Sequence, residues 1–244
     1  MPLKALFFDV GNTLLFPTPA LMLRKLHERQ VFPSPELLRS IERSTKLEFD
    51  RLKEGDLTID HGFWNIYYAR LLEELKIRDD TICARLVSCT RVSANWRDIR
   101  PHTRDILLGL KKKYLLGVIS NADGKIAAVL SHCGIADCFQ TITDSGIIGK
   151  EKPHPAIFDT ALQSLGVTAS ESLYTGDVYS VDYLGATRIG MQSVLFDVSG
   201  AYAGTTLPRV ESLQELEEKL KSGELGSQSC QPSAAKISPS EEGC

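Results

Sequence analysis

Five short apolar runs limit what this chain can fold into: Leu3–Val10, Leu115–Ser120, Phe139–Thr143, Ser172–Thr175 and Gln192–Val198. None alternates with polar residues, the pattern of strands buried on both faces of a parallel sheet. Helical stripes separate them from the second run onward. Ile106, Leu107 and Leu110 form one; Ile126, Val129, Leu130 and Cys133 form the next. Ile157, Phe158, Ala161, Leu162 and Leu165 follow, then Val181, Leu184 and Thr187, and last Leu213, Leu216 and Leu220. Strand–helix alternation of this kind predicts βαβ units and an α/β fold.

The stretch from Pro17 to Asp98 reads differently. It holds no convincing strand, and three helices are expected: one through Leu37, Ile41 and Leu47, one through Phe63, Ile66, Tyr67, Leu71 and Leu75, and one through Ile82, Leu86 and Val87. Turn signals at Pro33-Ser34-Pro35, Glu54-Gly55-Asp56 and Arg78-Asp79-Asp80 divide them. So long an excursion exceeds a crossover, and residues 17–97 are read as an inserted all-α domain in a core made of residues 1–16 and 98–221. After Ser222, Gly, Ser, Pro, Gln and Glu dominate, and residues 222–244 read as a disordered tail.

With 28 basic and 31 acidic side chains the net charge is −3, which gives no reason to expect nucleic acid or an anionic membrane as partner. No apolar run is long enough to span a bilayer, and Asp9 interrupts the first one too early for a signal peptide. The six cysteines form no C-x-x-C pair and no ligand-spaced cluster with histidine, so reduced thiols and a cytoplasmic location are expected.

Polar residues stand at the ends of the apolar runs. Asp9 closes the first, Ser120-Asn121 the second, and Gly176-Asp177 the fourth, with Asp182 one turn into the next helix. Ligands of open α/β sheets bind beyond the carboxyl ends of the strands, and these side chains converge if the second and fourth runs flank the first. Singly, each has a plainer explanation as a helix cap or turn residue; Asp123 in particular reads as the cap of a helix beginning at Gly124. The chain carries no P-loop and no G-x-G-x-x-G after the first strand.

Taken together, Asp9 through Thr13, Ser120-Asn121, Lys152-Pro153 and Gly176-Asp177 with Asp182 resemble the four ordered motifs of the haloacid dehalogenase superfamily. The resemblance implies a Rossmann-like three-layer core with a helical cap in the position of the insertion. It also implies a hydrolase in which Asp9 attacks phosphorus and Mg²⁺ is held by Asp9, the Gly11 carbonyl, Asp177 and Asp182. Ser120, Asn121 and Lys152 would then hold the phosphoryl group of a small phosphorylated substrate, Lys152 being preferred to Lys150 for its Pro neighbour.

The first motif departs from the family pattern. Gly11 stands where family phosphatases carry the Asp that serves as acid and base. Four readings stay open: a phosphohydrolase of low or atypical activity, a phosphonatase using a cap lysine such as Lys53, a dehalogenase, or a non-catalytic phosphate-binding protein. His61 reads as a solvated neighbour of Asp60, and Trp64, Tyr67 and Tyr68 as core of the insertion. The linkers near Phe16–Pro19 and Arg97–Pro101 are the expected hinges of a closing motion.

Overall fold

The computed structural model describes residues 2–53 and 62–226. His61, the Glu54-Gly55-Asp56 turn, Asp60 and most of the expected tail lie outside them. The elements, in chain order, are β1 (Ala5–Phe8), β2 (Leu15–Pro17), α1 (Pro19–Met22), α2 (Arg24–His27), α3 (Pro35–Leu52), α4 (Gly62–Glu74), α5 (Asp80–Thr90) and β3 (Trp96–Ile99). There follow α6 (Thr103–Lys111), β4 (Leu115–Ser120), α7 (Ile126–His132), β5 (Thr141–Asp144), α8 (Ser145–Ile148), α9 (Pro155–Leu165) and β6 (Ser172–Gly176). A π-helical turn (Tyr179–Tyr183) leads into α10 (Leu184–Arg188), and the chain closes with β7 (Gln192–Phe196), β8 (Arg209–Val210) and α11 (Leu213–Ser222).

The five apolar runs all become strands of one parallel sheet, ordered β5-β4-β1-β6-β7-β8. Its sixth strand, β8, is two residues long and left no pattern to read. Successive residues of β1 serve opposite layers. Leu6 and Phe8 pack with Leu107, Leu130 and Leu216 of α6, α7 and α11. Ala5 and Phe7 pack with Phe158, Ala161 and Ala186 of α9 and α10 on the other side. A strand clothed on both faces has no room for a polar position, hence its unbroken apolar sequence. β1 lies between β4 and β6, so the sheet brings the ends of these three strands side by side.

Helices α1–α5 fill the excursion. Ser34 and Asp79 cap α3 and α5 by accepting from Leu37 N and Ile82 N, as two of the turn signals foretold. The excursion leaves and returns through an antiparallel ribbon, β2 with β3, reinforced by a 2.7 Å bond from the Thr18 hydroxyl to Asp98. Both expected linkers therefore contain paired strand, which the short Leu15–Pro17 and Trp96–Ile99 segments gave no periodicity to announce.

The face that α3 buries also differs from expectation. Leu37 and Leu47 are only partly covered, whereas Ile41, Thr45, Lys46, Phe49 and Asp50 are buried. Of the expected stripe Ile41 is buried, but apolar spacing could not register the rest of the face because two of its buried positions are charged. No helix of the described residues is long and apolar enough to cross a membrane. Cys83, Cys89, Cys133 and Cys138 are free thiols.

Candidate active site

At the carboxyl edge of the sheet, β1 ends in Val10 and a tight turn. The Val10 carbonyl accepts from Leu14 N and Leu15 N, both at 2.9 Å, and Asn12 adopts a left-handed φ of 53°, which asparagine tolerates. The turn aims Asp9 into a cleft under the α1–α5 helices. β6 delivers Asp177 beside it, and the following π-helical turn folds Asp182 back against Gly176. A Cβ on Gly176 would sit 2.5 Å from the Asp182 carboxyl carbon, so only glycine permits that approach.

Asp9, Asp177 and Asp182 each offer an oxygen within 4.8 Å of the others, and all three are buried. Lys152 is equally buried. Its ammonium reaches Asp9 Oδ1 at 2.6 Å, Asp182 Oδ1 at 2.8 Å and the Tyr174 hydroxyl at 2.9 Å. Lys150, by contrast, is exposed. Ser120 closes β4, buried and lining the same cleft.

Asn121 holds Lys152 in place with both ends of its amide: Oδ1 accepts from Lys152 N at 2.7 Å and Nδ2 donates to Lys152 O at 3.0 Å. That side chain is committed to the lysine backbone. Asp123 is not the helix cap that its position suggested. It accepts from Ser93 N and from the Ser93 hydroxyl, while α7 begins two residues later than expected. Asp144 takes the capping work, accepting from Gly124 N, Ile126 N and Gly146 N. Strand β5 ends one residue further on than its apolar run, and that extra residue is the cap.

Lys46 is a site residue that no motif or apolar pattern pointed to. Entirely buried on α3, it brings its ammonium within 2.9 Å of Asp177 Oδ2 and of Glu42 Oε1. A turn further on, Asp50 accepts from Ser180 N at 3.0 Å and from the Tyr202 hydroxyl at 2.8 Å, and Arg43 Nε donates to Ser199 O. Tyr174 was missed too, since a tyrosine inside an apolar run reads as core; its hydroxyl donates to Asp182 Oδ1 at 2.9 Å. In the sequence Lys46 stands four residues after Glu42 and reads as half of an ordinary helix-surface ion pair, so nothing there singles it out.

The electrostatics follow from this crowding. Burial pushes the Asp9 carboxyl up to about 7, with Lys152 opposing and Asp182 and Asp177 adding to the rise. Burial likewise takes Asp177 to about 6 against the pull of Lys46. Burial works against the charged forms of Lys152 and Lys46, but their carboxylate neighbours outweigh it and hold both ammoniums above the usual lysine range.

A cavity of about 390 Å³ opens from Asp9, Ser120 and Lys152 towards α3, α4 and the ribbon. Lys53 lies on its wall, 5.8 Å from the centre of the Phe49 ring. Tyr67 and Tyr68 are packed away as expected, but their neighbour Trp64 is half-buried and lines the cavity.

A family model of haloacid dehalogenase-like hydrolases matches residues 3–190, most of the chain. The chain belongs to the haloacid dehalogenase-like hydrolases. Among curated members, the glyceraldehyde 3-phosphate phosphatase of Methanothermobacter thermautotrophicus is 31% identical over 79% of this chain and 85% of its own length. The 5-amino-6-(5-phospho-D-ribitylamino)uracil phosphatase YigB of Escherichia coli is 33% identical over 78% of this chain and 82% of its own. The haloacid dehalogenase-like hydrolase domain-containing protein 3 of Danio rerio is 37% identical over a shorter reach, 46% of this chain and 45% of its own. Among solved structures, the magnesium-bound putative hydrolase YfnB of Bacillus subtilis superposes with a TM-score of 0.64 at 20% identity, covering 90% of this chain and 99% of its own. This last likeness is one of fold.

Proposed function

We propose that this member of the haloacid dehalogenase-like hydrolases is a Mg²⁺-dependent phosphohydrolase acting on a small phosphorylated metabolite through an aspartyl-phosphate at Asp9. One observation carries the reading: Asp9, Lys152, Asp177 and Asp182 share a buried cluster at the mouth of a cavity that also reaches Ser120. The phosphatase names of two relatives that match most of the chain support the substrate class.

The donor set suits a hard divalent ion. It consists of carboxylate oxygens converging from three residues, with the Gly11 carbonyl on the same turn. Asp9, Asp177 and Asp182 would hold the ion with that carbonyl, and when bound it supplies the positive charge that lets two anions meet. The chain's own groups do the rest. Asp9 offers an oxygen as nucleophile, splitting one displacement into two. Lys152, held by Asn121 and Tyr174, places a fixed positive charge beside that oxygen, and the Ser120 hydroxyl is positioned to donate to a phosphoryl oxygen. Helices α1–α5 act as the cap that closes the cavity from water.

Purified protein should release phosphate from activated esters with Mg²⁺ and lose that activity in EDTA. Asp9→Asn should cost about 10³-fold or more in kcat while keeping the native circular-dichroism spectrum. Activity indifferent to both changes contradicts the reading. A second reading, a non-catalytic phosphate-binding protein, is favoured by one contact, the Lys46 ammonium against Asp177. Phosphate binding without turnover of any ester would select it.

A further inference from the structure

The phosphohydrolase reading leaves open how a leaving group departs past Gly11, and the cavity wall at that position supplies an answer. A Cβ on Gly11 would meet the six-membered ring of Trp96 at 3.4 Å, so an indole stands beside the place where an acid would reach the ester oxygen. From Trp96 a continuous strip of rings runs along the wall: Trp64 at 5.6 Å, Phe63 a further 5.0 Å and Phe49 a further 5.6 Å, centre to centre and all edge-to-face. Trp96 is fixed there because its indole nitrogen donates to Thr90 O at 2.9 Å. Two hydroxyls of this wall have partners already: Thr90 with Tyr68, and Ser93 with Asp123. Asp123 itself spends both carboxylate oxygens on Ser93.

From the aromatic strip and the bare Gly11 position together, we infer that the substrate is an aryl phosphate monoester, whose ring lies on the Trp96–Trp64–Phe63–Phe49 wall and whose oxygen leaves as a phenolate. An Asp9 oxygen forms the bond to phosphorus as the phosphorus–aryloxy bond breaks, the electron pair departs on the phenolate, and bulk water later protonates it. Water then attacks the aspartyl-phosphate, releasing inorganic phosphate and restoring the carboxylate. A phenol ionises near pH 10 and water near 15.7, a difference of about six orders of magnitude that makes acid help dispensable for one and not for an alkoxide. Aromatic packing on the strip supplies the ground for recognition.

The inference rests on the phosphohydrolase reading, and one series of esters separates the two. With saturating Mg²⁺, kcat/KM is expected to fall at least about 100-fold from phenyl phosphate to glycerol 3-phosphate. Equal values overturn the aryl inference while phosphohydrolysis stands. Release from no ester, with no label trapped on Asp9, overturns phosphohydrolysis itself. Fluorescence then still decides the aryl question, because the chain's two tryptophans both line this cavity. In Asp9→Asn, phenyl phosphate should quench at about tenfold lower concentration than glycerol 3-phosphate; equal midpoints, or no quenching, overturn the inference. Trp64→Ala, at a half-buried position, should narrow the phenyl-to-glycerol ratio about tenfold, and an unchanged ratio in folded protein counts against the strip. Gly11→Asp should raise glycerol 3-phosphate turnover more than that of 4-nitrophenyl phosphate; the opposite order overturns the inference.

Discussion

At the scale of single residues, the site is governed by three carboxyls sharing too little positive charge. Asp9 must be ionised to attack, yet burial holds its proton to about pH 7 in the absence of an ion. The kcat/KM of the enzyme should therefore rise with pH through an apparent value at or below about 7. Because a divalent ion binds only the ionised form, that midpoint should move down as Mg²⁺ is raised. A profile that ignores Mg²⁺ concentration would contradict the assignment of Asp9. The same shifts carry a stability consequence. Asp9 and Asp177 hold protons more tightly folded than unfolded. Their contribution to the fold is thus complete below about pH 4 and is lost as pH climbs through 6 to 7. Most of this cluster was legible: Asp9, Ser120, Asp177 and Asp182 each end or follow an apolar run, where a polar side chain has no place in the core, whereas Lys152 follows no such run and was singled out only by the family resemblance and its Pro neighbour. Tyr174 was not, because a phenol can serve a buried strand and a polar network with the same side chain, and the sequence shows only the first.

At the scale of elements, the parallel strands could be read because burial on both faces removes every polar residue from them. The ribbon strands and β8 are two to four residues long, too short for any period to register. Helix α3 misled for a different reason. Its buried side is built around charge, with Lys46 answering Asp177 and Asp50 answering Ser180 and Tyr202, so a rule that looks for apolar faces passes it by. Lys46→Met would leave Asp177 and Glu42 facing each other without their shared ammonium. Breaking such a buried pair costs roughly 3–5 kcal/mol, which for a chain of this size is a Tm lower by about 6–20 °C. Millimolar Mg²⁺ should restore much of that loss by meeting the stranded carboxylates, and calorimetry with and without the ion checks it. A loss that Mg²⁺ leaves untouched would mean that Lys46 acts only through α3 packing.

At the scale of the whole molecule, polar contacts from α3 help to fasten the helical insertion to the sheet layer, beside the Ser93–Asp123 contact. Asp50→Ala removes the acceptor of Ser180 N and of the Tyr202 hydroxyl, both buried, at a cost of about 1–3 kcal/mol. Amide exchange should quicken in α3 and in the Tyr179–Tyr183 turn while β1 and β4 keep their protection; uniform loss across the sheet would show that the contact supports the core instead. The β2–β3 ribbon adds something that neither layer has by itself. Since the outgoing and returning strands are already hydrogen-bonded, everything between residues 17 and 96 hangs from a single stitched stem. Evolution or an engineer could trade that graft for a longer, shorter or differently shaped one, and the parallel strands beneath would keep their alignment, because the cut ends never come apart.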